Sequence, residues 1–183
     1  MKLLFVRHGQ TIFNRLGLCN GDPMRDVRLT ATGIAQAQQV AERLGERRID
    51  RVICSELPRT RQTAEIINRP HGAPISVHPD INDIRSGFED RPVEDYQRYI
   101  AADRLHTRPP GGESLLEHKA RVSRFLDWLE SLPDQTVLVV AHEETLRVVI
   151  ARYRRLSDAQ MVPLRIGNCE ILEFEPSETM PHL

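Results

Sequence analysis

The sequence lacks a long apolar run and lacks a strong charge of either sign. The first apolar stretch stops at Arg7, and the formal net charge of the 183 residues is −1 at pH 7. A membrane-spanning helix needs about 20 apolar residues, and a large basic excess favours nucleic acid or anionic lipid. We therefore predict that neither a membrane nor a nucleic acid is a partner.

Cysteine is also scarce, and two familiar phosphate-site motifs are missing. The three cysteines, Cys19, Cys54 and Cys169, are an odd number without the spacing of a metal site, which is typical of a reduced compartment and predicts a cytoplasmic protein. There is no glycine-rich loop ending in Lys-Ser/Thr and no dense aspartate cluster for magnesium. We therefore expect a protein without a metal or another cofactor.

What is present is an alternation of strand and helix patterns. The spacing of apolar residues predicts helices that begin near Thr30, Pro58, Ser114 and His142, and one more helix over 92–105. The segment 10–28 is predicted to be irregular, and the chain from Pro176 on is predicted to be a loose tail. Apolar runs predict strands over 3–6, 51–54, 75–78 and 136–141, with an edge strand over 170–175. This order predicts an α/β three-layer sandwich, a mostly parallel central sheet with helices on both faces, in one domain over 1–183.

Three predicted strands end in polar residues at one edge of this sheet. Arg7-His8-Gly9 follows the first strand, the segment 55–59 with Arg59 follows the second, and His142 follows the fourth. Strand carboxyl ends face the crevice where ligands bind. Two arginines there would repel each other unless an anion lay between them, and guanidinium groups bind phosphate bidentately.

Two histidines beside a phosphate indicate covalent chemistry. A neutral imidazole is a competent nucleophile near pH 7, so His8 could form a phosphohistidine that splits one hard step into two. A protonated His142 could stabilise charge on the equatorial oxygens in the transition state. The leaving alkoxide needs a proton from a carboxylic acid.

These motifs resemble the histidine phosphatase superfamily, also called the phosphoglycerate mutase-like family, over nearly the whole chain. The matching segments are Arg7-His8-Gly9, 29–37, 55–64, 110–114 and the strand ending in His142. The resemblance implies a metal-independent mechanism with His8 as the nucleophile and a small cap over about 80–112. The phosphate pocket that it implies consists of Arg7, Asn14, Arg59, His142 and the backbone amide of Glu143.

Two positions depart from the family pattern. Where the family has a glutamate as the proton donor this chain has Asp83, which is our first candidate; Glu89 is the reserve, and Asp83 could instead be a turn residue. After the second histidine, where glycine is common, this chain has Glu143. Glu143 could simply stabilise a helix start, or Glu143 or Glu144 could select substrates that carry an amine.

The resulting prediction is a phosphomonoester phosphatase that acts on a small phosphorylated metabolite. One alternative is a mutase, although the family's mutases are longer and carry a Glu-Arg-His-Tyr-Gly run that is absent here. The others are a non-catalytic phosphate-binding module and a metal hydrolase with His8, His142 and Asp83 as ligands. The predicted partner is a small-molecule phosphomonoester. The sequence does not decide the oligomeric state, and a homodimer is one option because dimers are common among members of the family that it resembles.

Overall fold

A computed structural model describes residues 1–176. Apart from Pro176, the predicted tail lies outside the described residues. The strands of this part are β1 (Lys2–Arg7), β2 (Arg51–Cys54), β3 (Ile75–Val77), β4 (Thr136–Ala141) and β5 (Ile171–Phe174). The helices are α1 (Ile12–Leu16), α2 (Ala31–Leu44), α3 (Pro58–Asn68), α4 (Val93–Tyr99), α5 (Leu115–Glu130), α6 (Glu143–Arg154) and α7 (Asp158–Met161), with a 3₁₀ turn at Pro79–Ile81.

The strands form one sheet in the order β3-β2-β4-β1-β5. β1, β2, β3 and β4 run parallel, and β5 is an antiparallel edge strand on β1. The predicted α/β sandwich is therefore confirmed. The register pairs Arg7 with Ala141 and Cys54 with Val140, so the ends of three strands lie side by side.

Successive side chains along the strands point to opposite faces of the sheet and pack into two separate hydrophobic cores. Leu3 and Phe5 pack with α5 and α6 on one face of the sheet, whereas Leu4 and Val6 pack with α2 and α3 on the other. Both sets are fully buried, because a parallel sheet covered on both faces needs apolar side chains on both sides of each strand. This double burial makes the central strands a rigid support for the residues at their ends.

The structure differs from the sequence-based prediction mainly in short helices. The segment predicted to be irregular contains α1, which Thr11 and Asn14 begin with a reciprocal capping box and Gly17 ends in a left-handed conformation. α4 is shorter than predicted, and α7 was not predicted. α1 and α7 each begin with a capping box, whereas α4 has no side-chain cap. Helices this short depend on caps and tertiary contacts rather than on a long apolar stripe. Within residues 1–176, none of the helices has the length and apolar character needed to cross a bilayer.

Candidate active site

A cavity of about 150 Å³ opens at the carboxyl ends of the central strands. Arg7 and His8 reach it from the end of β1, and Arg59 reaches it from the first turn of α3. α4 contributes Val93, Tyr96 and Gln97 to its wall. The predicted site residues that line the cavity are Arg7, His8, Asn14, Arg59, Asp83 and Glu143.

The His8 imidazole is held with one nitrogen directed at Arg59. Its Nδ1 lies 2.8 Å from the Gly9 carbonyl oxygen, which makes Nδ1 the protonated nitrogen and leaves a lone pair on Nε2. Nε2 accepts a 3.0 Å hydrogen bond from Arg59 Nε. Burial, then Arg59 and Arg7, hold the His8 pKa well below its usual range, so the ring is neutral. Its Nε2 therefore has the protonation state that a nucleophile requires.

Gly9 is required by a close approach of two backbones. Its amide donates to Thr63 Oγ1 at 3.1 Å. A Cβ added at Gly9 would lie 2.5 Å from the carbonyl oxygen of Gly33 at the start of α2. Any side chain here would push the loop after β1 away from α2, so the glycine fixes the position of His8.

His142 lies 5.3 Å from His8 between ring centroids and is fully buried. Its Nε2 shares a 2.8 Å hydrogen bond with the Ser55 hydroxyl, while its Nδ1 lies 3.1 Å from Arg59 Nη2. Burial, followed by Arg59 and His8, lowers the His142 pKa well below its ordinary value. The expectation of a protonated His142 therefore does not describe the protein alone, in which this ring is neutral.

Each of the two arginines is paired with a carboxylate of its own. Arg7 Nη1 donates to the Ile166 carbonyl oxygen at 2.5 Å and lies 3.1 Å from a carboxylate oxygen of Glu143. Arg59, only 3% exposed, donates from Nη2 to Asp83 at 2.7 Å. Within the described residues its Nη1 is buried without a hydrogen-bond partner. An oxyanion in the cavity could accept from it.

The two candidate proton donors differ clearly in position. Asp83 lines the cavity, and its Oδ2 lies 3.5 Å from His142 Nδ1. Burial and then the charge of Glu144 raise the Asp83 pKa to about 7, which suits a carboxylic acid that donates and regains a proton near neutrality. Glu89 instead accepts hydrogen bonds from the backbone amides of Gly21 and Asp22. Its carboxylate therefore stabilises the loop that contains these two residues.

A buried ion pair that the sequence did not reveal supports the backbone at Asp83. Arg121 donates to the carbonyl oxygens of Asp80, Asn82 and Asp83 at 2.7–2.9 Å. Glu113, 2% exposed, accepts from Arg121 Nη2 at 2.6 Å. The sequence did contain one sign of this ion pair: Arg121 lies next to the apolar stripe of α5, where an unpaired charge would be costly and a carboxylate partner is therefore expected.

The remaining predicted residues are placed at the cavity rim. The Glu143 amide belongs to the first turn of α6, where backbone N–H groups have no acceptor within the helix. Asn14 Oδ1 accepts from the Thr11 amide. Within residues 1–176, no group of three or more His, Cys, Asp or Glu side chains is arranged to hold a metal ion.

Comparison with known proteins matches this chain to one family model. The model describes the histidine phosphatase superfamily (branch 1) and matches residues 3–183. The adenosylcobalamin/alpha-ribazole phosphatase of Salmonella typhimurium is 33% identical over 91% of this chain and 86% of its own length. The probable phosphoglycerate mutase GpmB of Erwinia tasmaniensis is 32% identical over 98% of this chain and 86% of its own length.

Solved structures agree with the sequence comparison. The alpha-ribazole phosphatase of Shigella flexneri superposes with a TM-score of 0.88 at 29% identity, covering 97% of this chain and 92% of its own. A mycobacterial glucosyl-3-phosphoglycerate phosphatase superposes with a TM-score of 0.79 at 25% identity, covering 94% and 87%. These proteins share the overall fold of this chain.

Proposed function

The chain belongs to the histidine phosphatase superfamily (branch 1), and we propose that it is a phosphomonoester phosphatase acting on a small phosphorylated metabolite through a phosphohistidine on His8. The observation that carries this proposal is the orientation of His8. Its Nδ1 is bound to the Gly9 carbonyl, so the lone pair of Nε2 faces Arg59 at the cavity.

In the first step the phosphate dianion lies between the guanidinium groups of Arg7 and Arg59, with Asn14, His142 and the Glu143 amide completing the pocket. His8 Nε2 attacks phosphorus, and the P–O bond to the substrate alcohol breaks. Asp83 in its acid form gives its proton to the leaving oxygen. Approach of the dianion favours the protonated form of His142, so that this ring becomes a cation only when substrate is bound.

In the second step a water molecule attacks the phosphorus of the phosphohistidine. Asp83, now a carboxylate, accepts a proton from this water, and the bond between phosphorus and His8 breaks. Inorganic phosphate leaves, and the site returns to its starting protonation state. The arginines stabilise the charge of both transition states.

The test is turnover of a panel of phosphomonoesters, including alpha-ribazole phosphate, phosphoserine and phosphoglycerates. The His8→Ala variant should lose turnover, whereas His106→Ala, which removes an exposed imidazole, should keep it. Rapid alkaline quenching of the wild type with ³²P-labelled substrate should leave label on His8. Turnover that survives His8→Ala, in a variant with native circular dichroism, would contradict the mechanism.

A phosphoglycerate mutase is the second candidate, because the GpmB relative matches 98% of the chain. The two activities differ in what meets the phosphohistidine: water in a phosphatase and a second alcohol group in a mutase. Measuring free phosphate and phosphoglycerate isomers in one reaction separates them. A mutase would interconvert the isomers faster than it releases phosphate.

The cytoplasmic location remains a prediction from the sequence, and the homodimer remains the option that the family resemblance suggests. Light scattering coupled to size-exclusion chromatography measures the molar mass in solution and thereby tests the dimer. Cell fractionation tests the location.

A further inference from the structure

The second residue of α6, Glu144, lines the same cavity as His8 and Arg59, and its charge acts on the Asp83 carboxyl. Its neighbour Glu143 is engaged on both sides, by Arg7 at 3.1 Å and by Arg147 at 2.9 Å. Glu143 is therefore not available to a substrate and serves to hold Arg7.

Glu144 is held much less firmly. Its closest ion-pair partner is Arg147 Nη1 at 3.6 Å, a separation too long for a hydrogen bond. Within residues 1–176, no side chain donates a hydrogen bond to its carboxylate, which is contacted by its own backbone amide. Burial favours the neutral form, but Arg147 and Arg7 outweigh it and lower the Glu144 pKa, so the group stays ionised.

An ionised carboxylate in a phosphate pocket creates an electrostatic problem. The nearby cations already have anionic partners: Glu143 for Arg7, Asp83 for Arg59 and both glutamates for Arg147. Arg7 and Arg59, between which the phosphate binds, are thus partly neutralised by these partners, and within residues 1–176 neither of them forms an ion pair with Glu144. Like charges in a partly buried site repel unless a positive group lies close to both.

The substrate itself can supply that positive group. We propose that Glu144 determines specificity by pairing with a protonated amine on the alcohol part of the substrate, so that the favoured substrates are amino-alkyl phosphomonoesters. This inference rests on the proposed phosphatase function and adds to it the chemical class of the leaving group. The cavity wall beside Glu144 includes the Tyr96 and Gln97 side chains of α4, which would flank the alcohol part.

The test compares three esters of similar size: 2-aminoethyl phosphate, 2-hydroxyethyl phosphate and propyl phosphate. For the wild type near pH 7 we expect kcat/KM for the amino ester to exceed that for the propyl ester by about tenfold or more, as a charge-assisted hydrogen bond provides. The hydroxyl ester should lie between them. Equal values for the amino and propyl esters would overturn the inference without any variant.

The matched variants are Glu144→Gln and Glu94→Gln, the latter removing an exposed carboxylate of α4. Glu144→Gln should reduce the amino-to-propyl ratio to about threefold or less, whereas Glu94→Gln should leave it unchanged. Removing the Glu144 charge lowers the Asp83 pKa. The resulting loss of acid catalysis would weigh more on the propyl ester, whose alcohol is the more basic leaving group, and would raise the amino-to-propyl ratio rather than lower it. A ratio unchanged in a folded Glu144→Gln protein would overturn the inference.

The failure of this inference is distinguishable from failure of the function. If the wild type hydrolyses p-nitrophenyl phosphate and all three esters without preference, the phosphatase function stands and the role of Glu144 does not. If no ester is hydrolysed, the proposed function itself fails. Should Glu144→Gln not fold, Glu144→Asp replaces it, and retraction of the charge by one methylene should lower the same ratio.

Discussion

Replacing Asp83 by asparagine keeps the shape of the side chain and removes the proton that the leaving alcohol would receive. Asp83 Oδ2 lies 2.7 Å from Arg59 Nη2 and 3.5 Å from His142 Nδ1. Burial, with the charge of Glu144 next in importance, raises its pKa to about 7. Near neutral pH a large share of the molecules therefore carries the proton, whereas an ordinary aspartate would be ionised.

The size of the effect depends on the leaving group. General acid catalysis contributes about 10²–10⁴-fold when the leaving oxygen is a strong base. We expect Asp83→Asn to lower kcat/KM by about this factor for an alkyl phosphate. For p-nitrophenyl phosphate, whose product is a stable anion, the loss should be smaller than about tenfold, because an acid contributes little to a weakly basic leaving group.

The dependence on pH has a definite sign. The acid form of Asp83 is present below its pKa, so wild-type turnover of an alkyl phosphate should fall as the pH rises through about 7. This limb should be absent for p-nitrophenyl phosphate and absent in Asp83→Asn. Both are read from phosphate release over a series of buffers.

The matched control is Asp26→Asn, which removes a carboxylate exposed at the surface. It should leave both substrates and the pH profile unchanged. An equal loss on alkyl and aryl esters in Asp83→Asn would refute the assignment, because it would show a defect in binding or folding. If Glu89→Gln produces the selective loss instead, Glu89 is the acid.

Four further predictions concern the support of the site and its chemistry. Arg121→Lys keeps a positive charge but lacks the guanidinium group that binds three carbonyl oxygens, so it should misplace Asp83. It should lower kcat for alkyl esters by about tenfold or more and leave kcat for p-nitrophenyl phosphate nearly unchanged. The control Arg124→Lys, at an exposed position, should leave kcat for both substrates unchanged. Glu113→Ala leaves Arg121 without its buried partner and should lower the free energy of unfolding in urea by about 3–5 kcal/mol. Burial would raise the Glu113 pKa, but His118 and Arg121 hold it well below its usual 4.5. The stabilisation by this carboxylate is therefore present above about pH 4.5 and is lost as the pH falls further, so the free energy of unfolding of Glu113→Gln should change less with pH in the acid range than that of the wild type. Dialysis against EDTA should leave kcat unchanged, and a loss restored by a divalent metal would favour the metal hydrolase instead.

Local patterns were sufficient to predict most of the elements. β4 is a run of apolar residues, and α5 begins at the predicted Ser114 cap with its glutamate three residues later. These features depend on neighbours within a few residues, which the sequence displays directly. α1 was missed because a five-residue helix has no apolar stripe to recognise.

The sequence by itself determined the α/β class and the motifs at the strand ends, which supply the candidate nucleophile and the two arginines. It also determined that these residues meet, because parallel strands bring Arg7, His8, Arg59 and His142 to one edge of the sheet. Only the tertiary structure decided how these groups are charged and held. The contact of Arg121 with the carbonyl oxygen of Asp83 joins residues 38 positions apart, and no local pattern encodes such a contact. The neutral histidines and the raised pKa of Asp83 arise from burial among charges that different segments contribute, and burial exists only once the chain has folded.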